Sequence, residues 1–194
     1  MLTAIKYNLA HLTDFHGRDA RQTFWFYVLF LVLVQFGISM VMSVAMGGSM
    51  MGDAIMAAGN GVDEAEMQRR IFAQVGTMMR VSMWTSAVLS LAMIGLLVAS
   101  FTRRLHDSGK PGWIAVLVAV IQVVQLVVML GSIDDMVNLT VMMQTGDLAS
   151  AQAVQSGLAL RGLLGWVPAV LLVVFGVWPS TPGENKYGPQ PQPL

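Results

Sequence analysis

Residues 81–133 read VSMWTSAVLSLAMIGLLVASF, then TRRLHDSGK, then PGWIAVLVAVIQVVQLVVMLGSI. Two apolar stretches free of Asp, Glu, Lys and Arg flank a connector that holds Arg103, Arg104, His106, Asp107 and Lys110. Each stretch has the roughly 20 residues that a helix needs to cross a hydrocarbon core of about 30 Å. Inside a bilayer the backbone must satisfy its own hydrogen bonds, so a spanning segment of this kind is helical. The segment therefore predicts a membrane hairpin with a short, polar turn at one interface.

Working outward, the same pattern recurs on both sides. Charge-free windows also run from Arg21 to Asp53 and from Arg161 to Glu184. Spans are expected at about Phe24–Met46, Val81–Phe101, Pro111–Ile133 and Gly162–Trp178. The last is short unless its helix begins before Arg161 or the bilayer thins. Composition agrees, because the 194 residues are 55% hydrophobic and only 11% charged, with a mean hydropathy of +0.64. A soluble domain carries roughly 25% charged residues, and disordered chains are poor in apolar ones. The predicted fold class is all-α, a polytopic membrane protein of four transmembrane helices forming one domain over residues 1–194. Ser43-Val44-Ala45 looks like a cleavage site, but the preceding apolar run is too long for a signal peptide, so span one is read as uncleaved.

Sidedness follows from the basic residues. With four spans both termini share a side, which holds Lys6, Arg18, Arg21, Arg103, Arg104, Lys110 and Lys186, against Arg69, Arg70, Arg80 and Arg161 opposite. The positive-inside rule then places both termini in the cytoplasm. Trp25, Tyr27, Phe101, Trp113 and Trp178 are expected as anchors at that interface, and Trp84 and Trp166 at the outer one. Segments 47–80 and 134–161 are read as helical extracytoplasmic loops that extend spans two and four outwards or lie along the interface, with Met67, Ile71, Val75 and Met78 at helical spacing in the first. The first opens with a flexible run from Gly47 to Gly61 before a capping-box-like Asp63 and Glu66, and the second has Asp147 as N-cap. Each half repeats basic lead-in, span, outer loop, span, with no residue-level repeat to support duplication.

No ionisable side chain falls within the spans, which argues against a proton-coupled transporter. Gln35, Gln122 and Gln125 are the conspicuous intramembrane polar groups, read as interhelical bonding first and a ligand site second. Ser82, Ser86 and Ser90 form a small-residue face for close packing. Met42, Met46 and Met50 share a helix face, but without His support they read as apolar packing rather than a copper site. The chain lacks cysteine and any HExxH, GxSxG or P-loop pattern, so no catalytic residue, metal or cofactor is assigned. Zero net charge and the absence of a basic domain argue against nucleic acid as a partner.

Three motifs gather on the terminal side. They are Gly17-Arg18-Asp19-Ala20-Arg21 leading into Phe24-Trp25, the connector from Arg103 to Trp113, and Pro182-Gly183-Glu184-Asn185-Lys186-Tyr187-Gly188-Pro189. In this order they resemble domain-of-unknown-function family 805, which carries GR-x-x-R…FW, RRLHD-x-G-K-x-GW and PG-x-N-x-YG-x-x-P. The resemblance spans essentially the whole chain and implies a small multi-span protein of the bacterial inner membrane. It implies no activity. Family members commonly have short outer loops, and those here are enlarged.

Asp107, an acid among bases, is expected to pair with Arg18, Arg21 or Arg104, so the connector reads first as a topology anchor with a satisfied salt-bridge network and second as a basic pocket for an anionic headgroup, in which His106 could titrate or donate to a phosphate. The turn Ser108–Gly112 suits Gly and Pro, and residues 179–194 are expected as an extended cytoplasmic tail that either binds a partner or lies on the connector. His11 is expected to be exposed. The functional expectation is a non-enzymatic membrane component. Its basic cytoplasmic face, Arg18, Arg21, Arg103, Arg104, His106, Asp107 and Lys110, would bind anionic lipid, with room for a homo-oligomer or membrane-protein partner. The alternatives are a small permease or lipid transporter using the midplane glutamines, and a lipid-headgroup enzyme using His106 and Asp107.

Overall fold

The computed structural model describes residues 1–59, 61 and 63–192. Among the described residues seven helices follow in order: α1 Leu2–Ala10, α2 Arg21–Gly59, α3 Glu64–Asp107, α4 Trp113–Gly131, α5 Ile133–Thr145, α6 Leu148–Leu164 and α7 Val167–Val177. Four segments are long and apolar enough to cross a membrane: Arg21–Asp53, Ala65–Asp107, Trp113–Gly131 and Leu148–Val177. The chain is thus an all-α, multi-pass membrane protein.

Two layers of ion pairs bracket the apolar bundle. At the far layer Arg80 binds Asp134 at 3.2 Å and Arg161 binds Asp135 at 2.7 Å, gathering α3, α5 and α6. At the near layer Arg103 binds Asp19 at 3.0 Å and Arg18 binds Asp107 at 2.9 Å. Arg80 and Arg103 both lie on α3, and their separation at the helical rise is roughly 34 Å. That spacing fits a hydrocarbon core with its inner headgroup edges. The core of the bundle lies toward the near layer, where Phe24 and Val28 of α2 meet Phe101 and Leu105 of α3 and Ala115 and Val118 of α4. Leu171, Leu172 and Phe175 of α7 close this cluster.

Several expectations change. The glycine run is not a flexible loop, because α2 continues as helix through Gly47, Gly48 and Gly52 to Gly59. Tertiary contact outweighs the low helix propensity of glycine here: Gln74 Nε2 donates to Asp53 Oδ2 at 2.6 Å, and Ser82 Oγ to Met46 Sδ at 3.3 Å. Asn60 and Val62 of that run lie outside the described residues. Asp63 is the N-cap of α3 but makes no side-chain cap bond, and Glu66 instead pairs with Arg70 at 3.0 Å. Asp147 does cap α6, accepting from the Ser150 amide at 3.2 Å. The fourth span begins before Arg161 and is interrupted at Gly165-Trp166, since Pro168 has no N–H for the Leu164 carbonyl. Tyr27 and Phe101 are not interfacial anchors. Both are buried, and the Tyr27 hydroxyl donates to the Leu96 carbonyl at 3.0 Å.

Candidate functional site

The near end is where polar chemistry concentrates, and it is built from three separate stretches of chain. The loop before α2 brings Arg18 and Asp19, the last turns of α3 bring Arg103, Arg104 and Asp107, and the tail after α7 lies across them. Gly17, with φ +82, turns the chain into this arrangement, and Gly109, with φ +71, makes the tight turn into α4.

Asp107 is the hub. Its side chain is wholly inaccessible to solvent; Oδ1 accepts from Arg18 Nη2 at 2.9 Å, and Oδ2 accepts from Arg104 Nη1 and Ser180 Oγ, each at 2.5 Å. Arg18 spends its remaining hydrogens on the tail, donating to the carbonyls of Thr181 and Gly183, each at 2.7 Å, and of Gly188 at 3.1 Å. Arg104 donates through Nε to the Gly176 carbonyl at 3.0 Å and through Nη2 to the Trp178 carbonyl. It thereby ties α3 to the end of α7.

A second cluster is centred on Arg103. Its Nε donates to Asp19 Oδ1 at 3.0 Å, its Nη2 to Asn8 Oδ1 at 2.7 Å, and its Nη1 to the carbonyls of His11 at 2.9 Å and Asp14. Asp19 also accepts from Ser100 Oγ at 3.0 Å. Burial pushes the Asp19 carboxyl above its ordinary value, and Arg103 and Ser100 oppose that shift. Helix α1 is held on this cluster by buried Asn8 and by Tyr7, whose ring lies 5.5 Å from the Arg103 guanidinium. His11 is half-buried rather than exposed, with Nδ1 2.7 Å from the Tyr7 carbonyl.

Every nitrogen of the three guanidinium groups of Arg18, Arg103 and Arg104 therefore has an acceptor within the protein. These arginines are structural members, not a free anion cradle. The structure does bring them together with Asp107, as the sequence suggested, but it separates Arg21 and Lys110 from them in role. Arg21 is exposed and has no ion pair among the described residues, while Lys110 rests with Nζ 4.0 Å from the Trp178 ring centroid. Lys6 and Lys186 are likewise exposed on this end.

His106 and Asp107 are neighbours in sequence that serve different partners. The His106 ring stacks on Tyr187 with centroids 3.8 Å apart, and its Nδ1 lies 3.2 Å from the Gly17 carbonyl. Its backbone carbonyl accepts from Asn185 Nδ2 at 3.0 Å. Residues 185–188 consequently form a tight turn, with Asn185 N donating to the Gly188 carbonyl at 3.1 Å and Gly188 N to that of Asn185 at 2.9 Å. Composition predicted an extended tail; the Asn side chain, which also accepts from Tyr187 N at 2.9 Å, bends it back onto the connector.

The midplane glutamines occupy a different region. Gln35 and Gln122 line one apolar cavity between α2, α3, α4 and α7, whereas Gln125 lies off it. Met46 and Met50 pack with Met78, Met79, Met83 and Met136 around a smaller cleft. Among the described residues no three His, Asp or Glu side chains converge as metal ligands.

All three sequence motifs meet in the near-end network. The family described as protein of unknown function (DUF805) matches residues 12–189, and the chain belongs to that family. No curated protein and no solved structure matches the chain.

Proposed function

We propose that this DUF805 chain is a non-enzymatic component of the bacterial inner membrane, with both termini cytoplasmic, whose near end holds anionic lipid headgroups at its rim. The observation that carries this reading is the division of labour among the bases. Arg18, Arg103 and Arg104 are consumed in a buried network, and Lys6, Arg21, Lys110 and Lys186 remain at the edge of it. A rigid plate with unpaired cations at the headgroup level attracts anionic lipid electrostatically, at about 1 kcal/mol per base. Exposed Leu2, Leu9 and Phe15 beside Lys6 give α1 and the loop after it an apolar side suited to the interface. The same cation excess on the near side supports the cytoplasmic placement of the termini. Against the enzyme alternative, Asp107 has both carboxylate oxygens occupied and His106 has one ring face covered by Tyr187.

Native mass spectrometry of protein taken from nanodiscs containing phosphatidylglycerol and phosphatidylcholine tests the reading. Wild type should retain phosphatidylglycerol selectively, and Arg21→Gln combined with Lys110→Gln should lose most of that selectivity while melting near the wild-type temperature. Equal retention of both lipids by wild type, or unchanged selectivity in the double variant, would refute it. A co-purified protein in place of lipid would move the assignment to a partner surface. Reporter fusions at residue 60 and at the C-terminus should give opposite orientations.

A further inference from the structure

The methionine cleft at the far end measures about 290 Å³ and lies between α2, α3 and α5. Met46 and Met50 come to it from α2, Met78, Met79 and Met83 from α3, and Met136 from α5. A valine and Ser82 complete the lining, so no charged side chain lines it among the described residues. Sequence alone groups only Met42, Met46 and Met50, on one helix. The fold leaves Met42 out and adds four methionines from two other helices.

Methionine is flexible and ordinarily closes gaps in an apolar core. These six instead surround a space larger than the voids of a close-packed interior, few of which exceed a water molecule. All six are buried or half-buried, whereas Met40, Met51, Met56 and Met143 turn to the surface. One sulfur has its direction fixed: Ser82 Oγ donates to Met46 Sδ at 3.3 Å, and both residues line the cleft. Met79 adjoins Arg80, the nearest base in the chain, which is already neutralised by Asp134 at 3.2 Å. Asp53, one helical turn beyond Met50, adds a carboxylate at the same end.

We infer that this cleft is a binding site for a soft monovalent cation, Cu(I) or Ag(I), held by thioether sulfurs from α2, α3 and α5. Thioethers are neutral, polarisable donors that favour Cu(I) over hard cations. The lining holds no imidazole or carboxylate, the donors that Zn(II), Ca(II) and Mg(II) require. A thioether carries no proton to displace, so the site is ready for the cation without a change of protonation. Binding would also draw three helices together at the far layer, where α2 otherwise ends without an ion pair to α5 among the described residues.

Titration of the full chain in nanodiscs tests the site, with Ag(I) directly and with Cu(I) anaerobically against a chromophoric chelator. Wild type should bind one cation per chain, and a large excess of Mg(II) or Zn(II) should not displace it. Combining Met46→Leu, Met83→Leu and Met136→Leu takes one sulfur from each helix while conserving volume. That variant should bind at least roughly 10- to 100-fold more weakly, since even the outer-shell partners of a metal are worth that much. Met51→Leu with Met56→Leu, both exposed and outside the lining, should bind as wild type does. X-ray absorption of the Cu(I) form should show sulfur neighbours, and this measurement needs no variant to fold. Nitrogen neighbours would move the ion to His11, His16 or His106 and overturn the inference. So would a wild type that binds neither cation, a triple variant that binds as tightly as wild type, or an equal loss in the exposed pair.

Discussion

Asp107 is the carboxylate on which the near end turns, and Asp107→Asn isolates its charge with little change of shape. In the native protein Asp107 neutralises one of the two guanidinium groups that share it, Arg18 and Arg104, with its side chain fully buried. The substitution leaves both cations out of water and opposite a neutral amide. The Asn Nδ2 would also face either Arg18 or Arg104, donor against donor. Removing one partner of a buried pair costs about 3–5 kcal/mol, chiefly because the other charge is stranded. The two pairs share one carboxylate, so their losses do not simply add. At about 2–4 °C per kcal/mol for a chain of this length, the expected fall in melting temperature is about 6–20 °C. Intrinsic tryptophan fluorescence of detergent-solubilised protein measures it. A second readout is local: Arg18 holds the carbonyls of Thr181, Gly183 and Gly188, so release of Arg18 should free the tail and speed tryptic cleavage after exposed Lys186. Adding Arg18→Gln to Asp107→Asn removes one stranded charge and should recover part of the melting temperature but not the tail protection. A single variant that melts within 2–4 °C of wild type, with unchanged cleavage, would refute the hub assignment.

Two further outcomes follow from particular contacts. Gly176→Ala should destabilise by about 1–3 kcal/mol, because its Cβ would stand 2.8 Å from Trp25 Cζ2 and 2.9 Å from Phe24 Cε1, in a place where the Gly176 carbonyl also serves Trp25 Nε1 and Arg104; thermal melting measures this. Asp147 is held below its ordinary carboxyl value by the hydrogen bond from Ser150, so its cap is complete above about pH 4 and is lost as pH falls through the lowered value. Amide-exchange protection at Ser150 and Ala151, corrected for intrinsic rates, should fall on acidification in wild type and stay level in Asp147→Asn.

Membrane residence, helical class and the four spans were legible in the sequence because one physical requirement, internal satisfaction of backbone groups in lipid, dominates all others there. The helices at the far end were half legible. Periodicity around Met67, Ile71, Val75 and Met78 pointed to a helix, but nothing local announced that Gly47, Gly48 and Gly52 would be helical too. That outcome depends on a partner helix, and contacts between α2 and α3 are long-range information. The near-end network was legible as a cluster and as a set of salt bridges, whereas most of its partners in the chain were not. Counting bases cannot tell an exposed cation from one whose guanidinium is divided between a buried carboxylate and the carbonyls of a tail 163 to 170 residues away.

The signal that a buried network was present lay in the acids. The near end carries only four acidic residues, Asp14, Asp19, Asp107 and Glu184, and Asp19 and Asp107 lie within one or three residues of an arginine of the motifs. A carboxylate placed against arginines at the edge of an apolar segment is costly to bury unless it is paired, so its presence predicts a buried pair. The arginines adjoining those two acids are the consumed ones, Arg18, Arg103 and Arg104. Sequence distance alone does not make this division, since Arg21 stands two residues from Asp19 and Lys110 three from Asp107, yet both lie outside the buried pairs. At the far layer the pairs are long-range, with Asp134 binding Arg80 54 residues away and Asp135 binding Arg161 26 residues away. Pairing acids with bases across the predicted spans, before reading any basic cluster as a binding face, therefore signals that buried pairs exist, and the folded backbone decides which bases enter them.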